Sequence, residues 1–218
     1  SLDGFDLQGH IKAVTEAQQV MISTGFTAVM AQDNFKVGSS GNDVIKQSDD
    51  PTRFVLIAGD GDDQVLGGAG SDVLIGGAGN DTLDGGDGLD QVVSAASKDD
   101  IAVLRNADGT YSVTDSTGAE GVDTIMRVER VHLADMSLAL DIAPTNAAGG
   151  TALLLATVFG PDAVLNPTYV GLGLSLLDEG TSFDELCGLA INAVGLTEPA
   201  DVVNLLYTNV VWHCSTMA

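Results

Sequence analysis

Aspartate and glycine recur in the middle of the chain at a spacing that could hold a metal ion. Four consecutive nonapeptides share the frame G-G-x-G-x-D-x-U-x, where U is apolar. They begin at Ala58, Gly67, Gly76 and Gly85, and Ala58 is the one departure from the leading glycine. An earlier copy, Gly38-Ser-Ser-Gly-Asn-Asp-Val-Ile-Lys46, keeps the fourth, sixth and eighth positions. Between Arg53 and Lys98 there is no Lys or Arg, although Asp recurs throughout. Carboxylates crowded in this way must either stay solvated or share a cation. Only oxygen donors are on offer, from Asp side chains and glycine-rich backbone. Calcium accepts six to eight such donors in flexible geometry, whereas magnesium demands a tighter octahedron and zinc prefers His or Cys.

Three other chemistries fit less well. A disordered Gly/Asp linker would show no fixed apolar period, yet the eighth position is apolar in every copy. An EF-hand loop opening at Asp60 needs Glu at its twelfth position and finds Ser71. A phosphate-binding glycine loop needs a following helix and no crowd of carboxylates. The frame resembles the nonapeptide of the RTX (repeats-in-toxin, haemolysin-type) calcium-binding family over residues 38–93. That resemblance implies a metal-binding role for Asp43, Asp63, Asp72, Asp81 and Asp90. It also implicates the turn backbone around Gly59, Gly61, Gly68, Gly70, Gly77, Gly79, Gly86 and Gly88. The ligand it implies is Ca2+, and the stacked loops predict about three complete sites.

The elements that must position these loops are short strands. In each copy x-U-x predicts a strand whose U points inward, namely Ile45, Val65, Leu74, Leu83 and Val92. The glycines before it allow a tight turn. Two copies make one turn of a flattened coil, so loops stack every 18 residues. The expected partners are 38–46 with 58–66, 58–66 with 76–84, and 67–75 with 85–93. Residues 47–57, two longer than a repeat, read as a degenerate copy carrying Asp49 and Asp50 and ending in Phe-Val-Leu-Ile. The expected fold class is mainly β with an α-helical C-terminal part: a parallel β-roll (an RTX solenoid) with a β cap, followed by a small helical domain.

The flanks divide accordingly. Residues 1–37 are an N-terminal β-rich cap or pairing segment, with candidate strands at Val20–Ser23 and Phe26–Met30. Residues 38–98 form the roll. Residues 99–143 are the β cap, with a hairpin of Ile101–Arg105 and Thr110–Thr114 about the turn Asn106–Gly109. Val128, Glu129 and Asp135 in this segment resemble the end-cap found after RTX rolls. Residues 144–218 are helical, with helices expected at 151–159, 167–178, 183–194 and 199–212, a capping box at Ser182–Glu185 and a C-terminal stop at Gly195. This part resembles a helical family of unknown function that accompanies RTX repeats in secreted and surface-layer-type bacterial proteins. The residues that carry the likeness are Phe159–Asp162, Leu177–Gly180 and Val203–Val211.

Composition narrows the partners. The chain has 31 acidic and 8 basic residues among 218, a formal charge of −23, which repels nucleic acid and anionic membranes. No apolar stretch reaches the length of a membrane span. Cys187 and Cys214 are too few for a disulfide framework; one bridge and two buried thiols both remain open. His10, His132 and His213 are scattered, and no catalytic motif surrounds them or Ser175, so no enzyme activity is expected. The leading expectation is a secreted, extracellular or cell-surface calcium-binding structural protein. Calcium would induce its folding and its assembly into a homo-oligomer, filament or layer. The competing expectations are a calcium-dependent secretion and folding module of a larger secreted enzyme, and an adhesin module that grips a surface polysaccharide.

Overall fold

The computed structural model describes residues 34–47 and 51–215, with side chains in the last helix described as far as Asn209. The candidate strands at 20–23 and 26–30, and Asp49 and Asp50, lie outside the described residues. The chain divides into two compact units, Ser1–Leu140 and Asp141–Ala218.

In the first unit, successive strands alternate between two sheets. One sheet holds β1 (Phe35–Val37), β3 (Val55–Asp60), β5 (Val73–Ala78) and β7 (Gln91–Val93). The other holds β2 (Val44–Lys46), β4 (Gln64–Gly68) and β6 (Thr82–Gly86). Each strand runs parallel to the one two places on, so the chain returns to the same sheet every second strand. The register places Val55 beside Val73 and Val73 beside Gln91. In the other sheet Val65 lies beside Leu83. Between β2 and β4 the register steps from Val44 to Gln64, the longer offset that the two extra residues of 47–57 require. All three expected partnerships are present, and Val55–Ile57 stacks on Val73–Ile75.

The strands β3 to β6 are longer than the expected three residues because pairing continues into the glycines that open the next copy. Gly59 pairs with Gly77, and Gly68 with Gly86. This close approach is why Gly77 and Gly86, at position two, must be glycine. Gly77 has φ +108°, and a Cβ there would overlap the carbonyl oxygen of Gly59.

The sheets do not stop at residue 98. After β7 the chain makes an antiparallel hairpin, β8 (Ile101–Arg105) with β9 (Tyr111–Asp115), about the expected turn. It then re-enters the parallel pattern: β10 (Val122–Met126) pairs with β6, and β11 (Arg130–His132) with β7. β9 lies antiparallel on β10, and β12 (Ser137–Ala139) on β11. Side chains from the two sheets meet in one core containing Ile45, Leu56, Val65, Leu74, Leu83 and Val92, continued by Ile125 and Val131.

The second unit contains four helices: α1 (Ala147–Phe159), α2 (Pro167–Asp178), α3 (Phe183–Ala193) and α4 (Pro199–Ser215). A 3-10 turn, Pro161–Leu165, joins the first two. α3 opens on a capping box in which the Ser182 side chain accepts from the Glu185 amide and the Glu185 side chain accepts from the Ser182 amide. It stops at Gly195, whose φ of 74° is left-handed. Cys187 carries a free thiol. Few large side chains are buried here, Leu155, Val158 and Leu186 among them, while Leu153, Leu172, Val203 and Tyr207 face outward.

Leu74 is fully buried between Leu56 and Val92 in the stack, whereas Leu104 is two-thirds exposed. Leu74→Ala should therefore cost about 2–5 kcal/mol of stability, and Leu104→Ala about 0.5 kcal/mol or less. Denaturant unfolding of both variants checks the ranking, and equal losses would contradict this core.

Candidate metal centre

The turn before each repeat strand ends in the sixth-position aspartate, and in the four central copies that carboxylate is buried. Asp63, Asp72, Asp81 and Asp90 are all at most 1% exposed. Their Oδ1 atoms are used in a repeating way, each accepting the backbone N–H of the layer before. Asp63 accepts from Asp43 (2.7 Å), and Asp81 from Asp63 (2.9 Å). On the other side Asp72 accepts from Phe54 (2.7 Å), and Asp90 from Asp72 (2.7 Å). Two columns of acids result, one beside each sheet. Phe54 occupies the aspartate position of the degenerate copy, so the second column starts on a backbone N–H alone.

The Oδ2 atoms are different. Those of Asp63, Asp72, Asp81 and Asp90 are buried and have no hydrogen-bond partner. Each of the latter three points back into its own turn, where a Cβ on Gly67, Gly76 or Gly85 would collide with it. The first glycine of the frame therefore leaves space for the carboxylate. Burial raises all four acids above the ordinary value of 3.8. Asp72 and Asp81 are pushed up to about 6 and Asp90 to about 7, against the opposing effect of the backbone N–H each accepts.

Asp43 behaves otherwise. It is half-buried, and its Oδ2 accepts from the Ser39 amide (2.6 Å) and hydroxyl (2.8 Å). Ser39 stands where the frame has its second glycine, and it satisfies the atom that is orphaned in the other copies. The turn glycines stack as the frame requires: Gly77 lies over Gly59, Gly79 over Gly61, Gly86 over Gly68 and Gly88 over Gly70. The Gly68 carbonyl also accepts from the Asp87 amide (2.8 Å). Among the described residues, no three His, Cys, Asp or Glu side chains converge as a metal-binding group. An ion here would take one or two carboxylates and complete its shell from main-chain oxygens, which suits calcium and not zinc. The orphaned Oδ2 atoms and the all-oxygen surroundings fit that ion.

Three residues that the repeat frame did not single out join these columns. Asp123 Oδ1 accepts from the Asp81 amide (2.9 Å), and Glu129 Oε2 from the Asp90 amide (2.8 Å). Arg53 lies at the start of the second column with Nε and Nη2 buried, its charge acting on Asp72 and Asp90. Asp123 had a signal, since Gly118 and Gly121 precede it at frame spacing. Glu129 had no signal in the frame, because its loop is too short for it, and was singled out only by the end-cap resemblance at Val128, Glu129 and Asp135.

Stacked parallel strands joined by glycine turns with inward carboxylates define a calcium-binding repeat architecture, and comparison with known families agrees. Residues 57–92 match the model of the RTX calcium-binding nonapeptide repeat (4 copies). The chain thus carries RTX calcium-binding repeats, which are typical of secreted proteins. No curated protein matches the sequence. No described helix is long and apolar enough to cross a membrane.

The raised carboxyls give a pH dependence with a definite sign. An acid whose folded pKa lies above its unfolded one stabilises the fold below the unfolded value. That contribution is lost as pH rises through the folded value. Without calcium, the coil should be more ordered at pH 5 than at pH 8, with the loss centred near pH 6–7. Circular dichroism of chelator-treated protein checks this, and greater order at pH 8 would contradict it.

Proposed function

We propose that this chain is a secreted, non-catalytic calcium-binding structural protein of the bacterial cell surface or extracellular matrix. Its first unit would be a parallel β-roll that calcium drives to fold. The observation that carries the proposal is the set of four buried, unpartnered Asp Oδ2 atoms. An uncompensated buried carboxylate costs several kcal/mol, and four in one small core would oppose folding. The small apolar side chains buried per copy face a backbone entropy cost of about 1–2 kcal/mol per residue. A divalent ion seated between layers offsets the charge and bridges the turns at once.

The loop pairs 38–46 with 58–66, 58–66 with 76–84, and 67–75 with 85–93 would supply about three complete sites. Low calcium inside the cell would leave the segment loose for export, and millimolar calcium outside would order it. Self-association is the further part of this reading. Its support is the helical unit, which exposes Leu153, Leu172, Val203 and Tyr207 and has no Lys or Arg from 141 to 218. Its surface carries only negative charge to limit contact, and calcium would screen that charge.

Circular dichroism and light scattering of the full chain in millimolar calcium, before and after a chelator, test both parts. Calcium should increase β signal and apparent mass, and the chelator should reverse both. A coil equally ordered in chelator would overturn the folding role, and a monomer in both conditions would overturn assembly.

A further inference from the structure

The coil resumes after an interruption. We infer that residues 118–126 are a displaced copy of the nonapeptide, and that their turn, stacked on residues 79–81 through Gly121–Asp123, closes an additional calcium site with Asp81 and Asp123 as its carboxylates. This rests on the calcium-binding reading above, but it concerns residues beyond the matched stretch at 57–92.

The sequence Gly118-Ala-Glu-Gly-Val-Asp-Thr-Ile-Met126 keeps the first, fourth, sixth and eighth positions of the frame. From its fourth position onward the backbone follows the repeat, whereas the first two positions differ: positive φ falls on Gly118 (+79°), while in the other copies it falls on the second residue, as at Gly59, Gly68, Gly77 and Gly86. Thr124 pairs with Thr82 and Ile125 with Leu83, as Gln64 and Val65 do one layer earlier. The Thr124 amide donates to the Asp81 carbonyl (2.7 Å), as Thr82 does to Asp63 (2.8 Å) and Gln64 to Asp43 (2.9 Å). The fifth-position ladder continues too. Asn42 Oδ1 accepts from Asp62 N–H (3.1 Å), Asp62 Oδ1 from Asn80 (2.8 Å), and Asn80 Oδ1 from Val122 (3.0 Å). Gly121 has φ +76°, and a Cβ there would strike the Gly79 carbonyl, the clash Gly79 itself would make with Gly61. Ile125 fills the core at 0% exposure. The interval from Asp81 to Asp123 is 42 residues where the preceding step is 18. The 24 extra residues are the β8–β9 hairpin and its flanks, inserted between two layers that remain in contact.

The turn is furnished for an ion. Asp123 is 9% exposed, and its Oδ1 makes the interlayer bond that marks the other sixth-position acids. The loop beneath it presents Asp81, 1% exposed, with Oδ2 buried and unpartnered. Glu120 adds a third negative charge that acts on both. The insertion holds Glu120 in place, since its carboxylate accepts from the Ser94 hydroxyl and the Ala95 amide (2.7 Å).

The other column ends differently. There the turn after β10 lacks the glycines, and Arg127 binds Asp84 through Nε (2.8 Å) and Nη2 (2.6 Å), its charge also reaching Asp87 and Asp90. A built-in cation stands where the first column has none, so the added site belongs to one column only.

Counting bound calcium by equilibrium dialysis of the full chain tests this. Asp123→Asn keeps an acceptor for the Asp81 amide but removes the charge, and it should bind one ion fewer than the unaltered chain. Asp108→Asn, on the exposed hairpin turn, should lose none. An unchanged count in Asp123→Asn, in protein that does bind calcium, overturns the inference and leaves the function proposed above intact. Absence of calcium from the unaltered chain would overturn that function instead. If Asp123→Asn fails to order, crystals of the unaltered chain grown in terbium decide the matter. An anomalous peak bound to the Asp123 carboxylate supports the site, and peaks confined to the other turns overturn it.

Discussion

A carboxylate with one oxygen bonded and the other stranded is the constraint around which the first unit is organised. Asp63, Asp72, Asp81 and Asp90 each accept the amide of the adjacent layer through Oδ1 and keep Oδ2 buried without a hydrogen-bond partner. The Oδ1 bond fixes the spacing of the layers, and hence the register of both sheets. On the function proposed above, the stranded Oδ2 is the group that a cation would satisfy. Glycine at position one of the copies at 67, 76 and 85, and at position two at Gly77 and Gly86, follows from the same geometry, because a Cβ there would occupy either the carboxylate's space or the carbonyl of the layer below. Neither the strands nor the acids are independently stable choices: short parallel strands bury little, and buried acids raise the cost of folding.

The columns are not equivalent, which limits what the repeat alone can specify. One runs through Asp43, Asp63, Asp81 and Asp123, an acid at every layer. The other runs from Phe54 through Asp72 and Asp90 to Glu129, and arginines act on it near both ends. Where a guanidinium is built in, the local charge is already partly balanced. Where it is absent, balance has to come from solution. Two residues outside the frame, Arg53 and Arg127, thus make columns of nearly identical copies differ in charge.

Much of this was legible from residue spacing. The period of nine placed Val65, Leu74, Leu83 and Val92 in the core and the four central aspartates in the turns, and the two extra residues of 47–57 fixed the longer first step. The hairpin around Asn106–Gly109 and the capping box at Ser182 follow from local chemistry and appear where expected. Other features depend on contacts remote in sequence. The frame does not reveal that Ser39 satisfies Asp43, because that requires the turn's conformation. Glu129 reaches its place through a shortened turn with no glycine signature. Residues 118–126 were legible in principle, but the hairpin broke the contiguity that made the other copies visible. In the helical unit, element positions followed from caps and prolines, while a sparse core and outward Leu153 and Tyr207 emerge only from the packing.

Hydrogen exchange at the amides of Asp63, Asp72 and Asp81 probes the central claim most directly, because each is the donor in an interlayer carboxylate bond. These amides should be strongly protected in millimolar calcium at pH 7.5 and should exchange almost freely when calcium is withdrawn. Equal protection in both states would mean that the layers hold together without an ion, and that the stranded oxygens are tolerated by some other means.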